Sequence, residues 1–288
     1  MRVAIVGLGG VGGYIAAKFV NAGLEVVGFA KGAHLEAIRE HGLEIVEDES
    51  CFREKVDARE LEDLDGYFEG AFDAVLFCVK SYDLEDAYEK IQSHIDEKTI
   101  LLSFSNGVDN GDKLRELSSS RVLDACIYIL SHIEDAGVIR KKGKVFAAIF
   151  GGEGEATATL ATLFEQAGLR YKTPQKIKEA LWRKYLFISA FATLTSYYDT
   201  SICGVYENHF DEAKALLEEI STFAQTQGVF IEDEVQKALD VAKSLPHDAS
   251  TSMHLDFKNK KRVELESLSG YVKTPLMSRL YEELKRRV

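Results

Sequence analysis

The N-terminal stretch RVAIVGLGGVGGY restricts what this chain can fold into more than any other segment. It sets Gly7-Leu8-Gly9-Gly10-Val11-Gly12, a G-x-G-x-x-G, directly after a β-branched run and directly before the helical pattern GGYIAAKFVNAG. In that setting each glycine has a steric reason. Gly7 permits a tight turn, Gly9 lets backbone approach a pyrophosphate, and Gly12 allows close helix–strand packing. The helix N-terminus that follows offers unpaired N–H groups and a partial positive charge to phosphates. Gly7, Leu8, Gly9, Gly10, Val11 and Gly12 are therefore the expected dinucleotide-binding turn. A glycine-rich βα turn without a ligand is the bland alternative.

The end of the next strand selects the nucleotide. NAD sites usually carry Asp or Glu there, roughly 20 residues beyond the glycines, to accept from the ribose 2′-OH. Here LEVVGFA ends in Phe29-Ala30-Lys31-Gly32, with no acid. A lysine attracts a 2′-phosphate, so the expected cofactor is NADP(H), unless Lys31 is a solvated loop lysine.

Further apolar runs at 73–79, 99–104, 121–130 and 144–151, with helix candidates at 32–41 and 155–168, predict a parallel sheet covered on both faces. Beyond Thr173-Pro174 the β-rich runs stop. Amphipathic patterns take over at 175–198, 208–228, 232–244, 250–258, 262–272 and 275–287. The expected fold class is α/β: an N-terminal Rossmann-type doubly wound parallel sheet over 1–174, then a C-terminal all-helical domain over 175–288. With 35 Lys and Arg against 47 Asp and Glu, the formal net charge of −12 leaves no basic surplus for nucleic acid or an anionic membrane. No apolar run predicts a membrane span. Cys51, Cys78, Cys126 and Cys203 are far apart and suggest neither a disulfide framework nor a metal site, which fits a cytoplasmic protein.

Three polar residues stand at suggestive places. Lys80 follows the strand DAVLFCV, and Asn106 follows TILLSF, so both tips point where open α/β sheets bind ligands. Lys80 also reads as a surface lysine at a helix start, and Asn106-Gly107 as an ordinary turn. Lys184 lies within LWRKYLFISAFATL. At about 3.6 residues per turn it shares an apolar stripe with Leu181, Ile188, Phe191 and Ala192. Glu179, the i−4 neighbour of Arg183, is placed to pair with it at the edge of that stripe. Either the Lys184 stem covers an interdomain surface, or its ammonium points into a cleft, where partial desolvation would tune it as a general acid.

Taken together, GLGGVGG at the start, KGAHLEAIREHGL at 31–43, VK at 79–80, NG at 106–107, LWRK at 181–184 and Ser252-Met253…Asp256…Arg262-Val263-Glu264 form an ordered set. This set resembles the 2-dehydropantoate 2-reductase (ketopantoate reductase) family over nearly the whole chain. The resemblance implies NADPH-dependent reduction of a small-molecule 2-oxo acid, ketopantoate to pantoate, in pantothenate and coenzyme A biosynthesis. It implies that Gly7 to Gly12 bind pyrophosphate, that Lys31 meets the 2′-phosphate, and that Lys80 and Asn106 line the cofactor and substrate cleft. Lys184 would be the proton donor, Ser252 would bind substrate through its carboxylate, and Glu264 would bind the substrate hydroxyl or the cofactor and help hold Lys184. No metal is implied.

One departure stands out. Where the family pattern carries asparagines one and two turns after the lysine, this chain has Ile188 and Ala192. Ser189, Thr195, Ser196 or Tyr198 are the candidates to replace those contacts, and a less polar 2-oxo acid stays open as substrate. A non-catalytic NADP(H) sensor and a β-hydroxyacid or opine-type dehydrogenase are the competing classes. Leu280 and Leu284, spaced i, i+4 near the C-terminus, suit either a homodimer surface or a lid over the core.

Overall fold

Strand β1 (Arg2–Val6) shows why the first half of the chain becomes a sheet covered twice. Side chains alternate across a strand. Val3 and Ile5 enter one apolar core, while Ala4 and Val6 enter another on the opposite face. A second strand, Ala74–Phe77, is covered in the same way: Ala74 and Leu76 face the first core, Val75 and Phe77 the second.

The computed structural model describes residues 1–64 and 70–288. After β1 come α1 (Gly10–Asn21), β2 (Glu25–Phe29), α2 (Gly32–His41), β3 (Leu43–Val46), β4 (Cys51–Glu54) and β5 (Asp57–Arg59). Then follow β6 (Ala74–Phe77), α3 (Leu84–Ile91), β7 (Ile100–Ser103), α4 (Asn110–Leu117), β8 (Arg121–Asp135) and β9 (Val138–Gly151). Helix α5 (Gly154–Gln166) and β10 (Tyr171–Lys172) close this part. The strand order is β4-β3-β9-β8-β7-β6-β1-β2-β5, with β10 on β9. Phe164 of α5 is one hub of the first core, meeting Phe19 and Phe150 at ring distances of 5.3 Å. Truncating it to alanine would cost about 3–5 kcal/mol.

The sheet is parallel for most of its width, but not throughout. β8 and β9 pair antiparallel, as do β3 and β4. The reason at β8–β9 is the length of the connection. Ala136 and Gly137 alone separate the strands, Gly137 sits at φ +74, and so short a turn can only send the chain back antiparallel. β3 to β5 escape a sequence reading because all three are short, LEIV, CFRE and DAR, and the last two are largely polar.

The remaining helices are α6 (Ile177–Tyr198), α7 (Ile202–Asn208), α8 (Phe210–Thr226), α9 (Asp233–Ser244), α10 (Ser252–Lys258) and α11 (Pro275–Lys285). They share one core, in which Leu186, Leu216, Ile220, Met277, Leu280 and Leu284 are wholly buried. Leu280 and Leu284 therefore fill the core of their own unit. The expected helix over 262–272 is not an α-helix: the chain is irregular through Glu264 and then forms a π-helical turn, Glu266–Gly270. Contacts divide the chain into two units, Met1–Ser105 with Asp109–Ile177, and Asn106–Val108 with Lys178–Val288. The compositional break at 174 lies close to the second of these boundaries. Nothing in the composition reveals that Asn106–Val108 belongs with the helices.

Candidate functional site

The glycine turn is built by backbone. Gly7 sits at φ +100, and its N–H and that of Leu8 both donate to the Phe29 carbonyl, at 3.0 and 2.9 Å. A Cβ at Gly12 would lie 2.1 Å from the Gly7 oxygen and 2.8 Å from the Cys78 Cβ, so only glycine lets α1 start this close to the sheet. Gly9 is different. Its φ of −72 suits any residue, and a Cβ there would meet nothing within 4 Å. The fold leaves open space in front of Gly9, at the N-terminus of α1, where no side chain caps the first N–H groups and no acid stands in the first turn. That space fits a dinucleotide's pyrophosphate.

The adjoining pocket is lined by Val6, Gly7, Leu8, Gly9, Phe29, Ala30, Lys31, His34, Leu61, Glu62, Val79, Lys90 and Ile133. Lys31 is the residue before α2, and no acid stands in that helix's first turn. Glu62 also faces the pocket, bonded to Lys90 at 3.0 Å. The Lys90 hydrogen bond, aided by the Glu62 backbone and by the Lys90 and Lys31 charges, holds the Glu62 carboxyl below its usual range. Lys90 is held between Glu62 and Asp86, at 3.0 and 2.9 Å, which leaves Lys31 as the pocket's lysine nearest the start of α2. His34 braces its rim: the Gly137 N–H donates to Nδ1 at 3.0 Å, so Nε2 carries the hydrogen and donates to the Leu8 carbonyl at 2.9 Å. Glu62 and Lys90 belong to no motif and no sequence signal marks them, while His34 lies within the 31–43 segment without being singled out there. Lys80, half-buried, precedes a 3-10 turn at Ser81–Asp83.

In the helical unit Asn106 joins two other residues. Its side-chain oxygen accepts from Lys184 Nζ at 3.2 Å, and its Nδ2 donates to Glu264 Oε2 at 3.4 Å. The reversed amide would face NH2 to ammonium and oxygen to carboxylate, so the two charges set its orientation. Glu264 is 4% exposed, Lys184 and Asn106 are half-buried. Gly107 at φ +129 turns the chain behind Asn106, and Val108 anchors the segment on the helical core. Arg183 does a separate job, pairing with Asp233 at 3.1 Å and with Glu234 in the first turn of α9.

Glu264 leads into the π-helical turn, a form that departs from regular α bonding. Side chains of α6 occupy its carbonyls. The Tyr185 hydroxyl donates to Ser267 and Leu268 at 3.0 and 3.1 Å, and Ser189 Oγ donates to Leu268 at 2.6 Å. Three of the four hydroxyls expected to replace the missing asparagine contacts are thus committed elsewhere. Ser189 serves the π turn, Thr195 bonds Phe191 O and Thr251 Oγ1, and Tyr198 binds Glu212. Ser196 Oγ is buried with no hydrogen-bond partner among the described residues. Ser252 is exposed at the start of α10, and no hydrogen bond among the described residues joins it to Lys184, Asn106 or Glu264.

A Rossmann-type unit with an open glycine turn, followed by an all-helical unit, defines a class of two-unit α/β oxidoreductases. Within it, this chain belongs to the ketopantoate reductase family. Residues 3–152 match Ketopantoate reductase PanE/ApbA, and residues 176–282 match its C-terminal counterpart. The 2-dehydropantoate 2-reductase of Mesorhizobium japonicum is 26% identical, over 94% of this chain and 90% of its own. The structure of a 2-dehydropantoate 2-reductase from Porphyromonas gingivalis W83 superposes with a TM-score of 0.83 at 30% identity, covering 99% of both chains. That of a PanE/ApbA family ketopantoate reductase from Ralstonia eutropha JMP134 gives 0.90 at 28% identity, covering 100% of this chain and 98% of the other. Among the described residues no helix is long and apolar enough to cross a membrane.

Proposed function

We propose that this chain reduces a 2-oxo acid with NADPH, that 2-dehydropantoate is its leading substrate, and that it serves pantothenate formation in the cytoplasm. The observation that carries this reading is the Lys184 ammonium held by Asn106, whose amide also reaches the buried Glu264. The sheet unit is the cofactor-binding part. Gly7, Leu8, Gly9, Gly10, Val11 and Gly12 would cradle the pyrophosphate, Lys31 the 2′-phosphate with Lys90 nearby, and Lys80 would line the same site. When bound, the reduced nicotinamide supplies hydride to the substrate C2.

The helical unit supplies the rest. As negative charge builds on the carbonyl oxygen, Lys184 Nζ donates a hydrogen bond to it and then a proton. Asn106 aims Nζ by accepting a hydrogen bond from it. Glu264 keeps Asn106 in its one productive orientation and accepts from the substrate hydroxyl. Ser252 binds the substrate carboxylate. A second reading, a less polar 2-oxo acid, is favoured by Ile188 and Ala192 and by the hydroxyls of Ser189, Thr195 and Tyr198 being bonded within their own unit. Oxidation of NADPH and NADH, followed by absorbance against a panel of 2-oxo acids, tests both. Faster turnover of ketopantoate with NADPH supports the first reading, and preference for an aliphatic or aryl 2-oxo acid supports the second. Cofactor binding with no oxidation by any panel member would overturn both.

A further inference from the structure

A second cluster lies in the helical unit and plays no part in the reaction above. Cys203 and Glu207 stand one turn apart on α7, and His247 comes from the connector between α9 and α10. Cys203 Sγ is 3.4 Å from Glu207 Oε1 and 3.4 Å from His247 Nδ1, and His247 Nδ1 is 3.9 Å from the same Glu207 oxygen. Without an ion, the thiol donates to Glu207 and the His247 ring nitrogen bonds the sulfur. Three ligand-type atoms thus converge on one point.

We propose that Cys203, Glu207 and His247 form a site for a zinc-class divalent ion, with water at the fourth corner. Bond lengths of about 2.3 Å to sulfur and about 2.0–2.2 Å to nitrogen and oxygen give tetrahedral edges of roughly 3.3–3.6 Å. Two of the three observed edges already lie in that range. The third closes with a small rotation of the His247 ring, which is exposed. The thiolate, imidazole and carboxylate set suits zinc rather than magnesium or calcium, which take oxygen ligands.

The backbone prepares this arrangement. Ala249 N–H donates to Pro246 O at 2.9 Å, closing a tight turn with His247 and Asp248 at its centre. Ile202 N–H donates to Ala249 O at 2.9 Å, holding that turn against the start of α7. The same connector runs on to Thr251, which bonds Thr195 at 2.9 Å, and to Ser252. A bound ion would clamp the connector that leads to α10. On binding, the Cys203 S–H bond breaks, its proton passes to water, and the sulfur electron pair forms the bond to the metal.

The test is cobalt(II) titration of the reduced, metal-free full-length protein. The expected result is one ion bound per chain, a thiolate-to-cobalt charge-transfer band and the intense visible bands of a tetrahedral site. Zinc should displace the cobalt and raise the melting temperature. His247→Gln, at an exposed position that leaves the fold intact, should weaken binding at least about tenfold. Cys203→Ser should abolish the charge-transfer band, and Cys51→Ser should leave it unchanged. No charge-transfer band in the wild-type chain, a band lost with Cys51→Ser, or affinity unchanged by His247→Gln would overturn the proposal. Because none of these readouts involves turnover, the result stands apart from the reductase reading.

Discussion

The glycine turn and the Lys184 cluster are built in opposite ways. The turn is contiguous in sequence, uses backbone atoms and owes its shape to missing side chains. The cluster gathers Asn106, Lys184 and Glu264 from three distant segments and depends on two side-chain contacts of 3.2 and 3.4 Å. A backbone device either forms or fails, whereas a side-chain device can be weakened by degrees. Substitutions in the first should act on folding and cofactor binding, and those in the second on turnover.

The sharpest way to break this contrast is at the glycines. Gly12→Ala drives a methyl into the Gly7 carbonyl, and we expect a loss of about 3 kcal/mol or more with a melting temperature lower by roughly 6–12 °C, together with loss of activity. Gly9→Ala should keep the wild-type melting temperature and yet bind NADPH at least about tenfold more weakly, since its methyl enters open space. Calorimetry and fluorescence titration separate the two, and equal behaviour would sink the distinction. Next in size, Glu264→Gln should lower kcat about 10–100-fold, because the buried group loses the charge that orients Asn106. Its NADPH affinity should hold.

Lys31→Ala should raise the KM for NADPH about tenfold and leave that for NADH alone, an exposed charge facing a phosphate being worth about 1–1.5 kcal/mol. An equal effect on both cofactors would remove Lys31 from the 2′-phosphate. The smallest effect concerns acid. Hydrogen bonds from Arg183 and Lys237 lower the Asp233 carboxyl to about 2. Its folded value lies below the unfolded one, so its contribution is present above about pH 4 and fades as pH falls towards 2. Asp233→Asn should flatten that part of an acid-unfolding curve, measured by circular dichroism.

These regions also differ in how far sequence alone reveals them. Gly7 to Gly12 can be read directly because steric need and chain order coincide. α2 can be read too, its expected span of 32–41 matching Gly32–His41. Lys184 could be singled out as a cation on an apolar stripe, but not its contact with Asn106, since no pattern links residues so far apart. The π-helical turn was hidden because its carbonyls are satisfied by Tyr185 and Ser189, which read from sequence as ordinary helix residues. Likewise Cys203 and His247 look unrelated until the Pro246–Ala249 turn brings them together.

The most direct test of the central claim is a paired measurement on Lys184→Ala: the rate of NADPH-dependent 2-oxo acid reduction and the Kd for NADPH. The expected outcome is kcat reduced by about 10²–10⁴ with the Kd within about twofold of wild type. Turnover near the wild-type rate, or a loss of activity that follows entirely from lost NADPH binding, would contradict it.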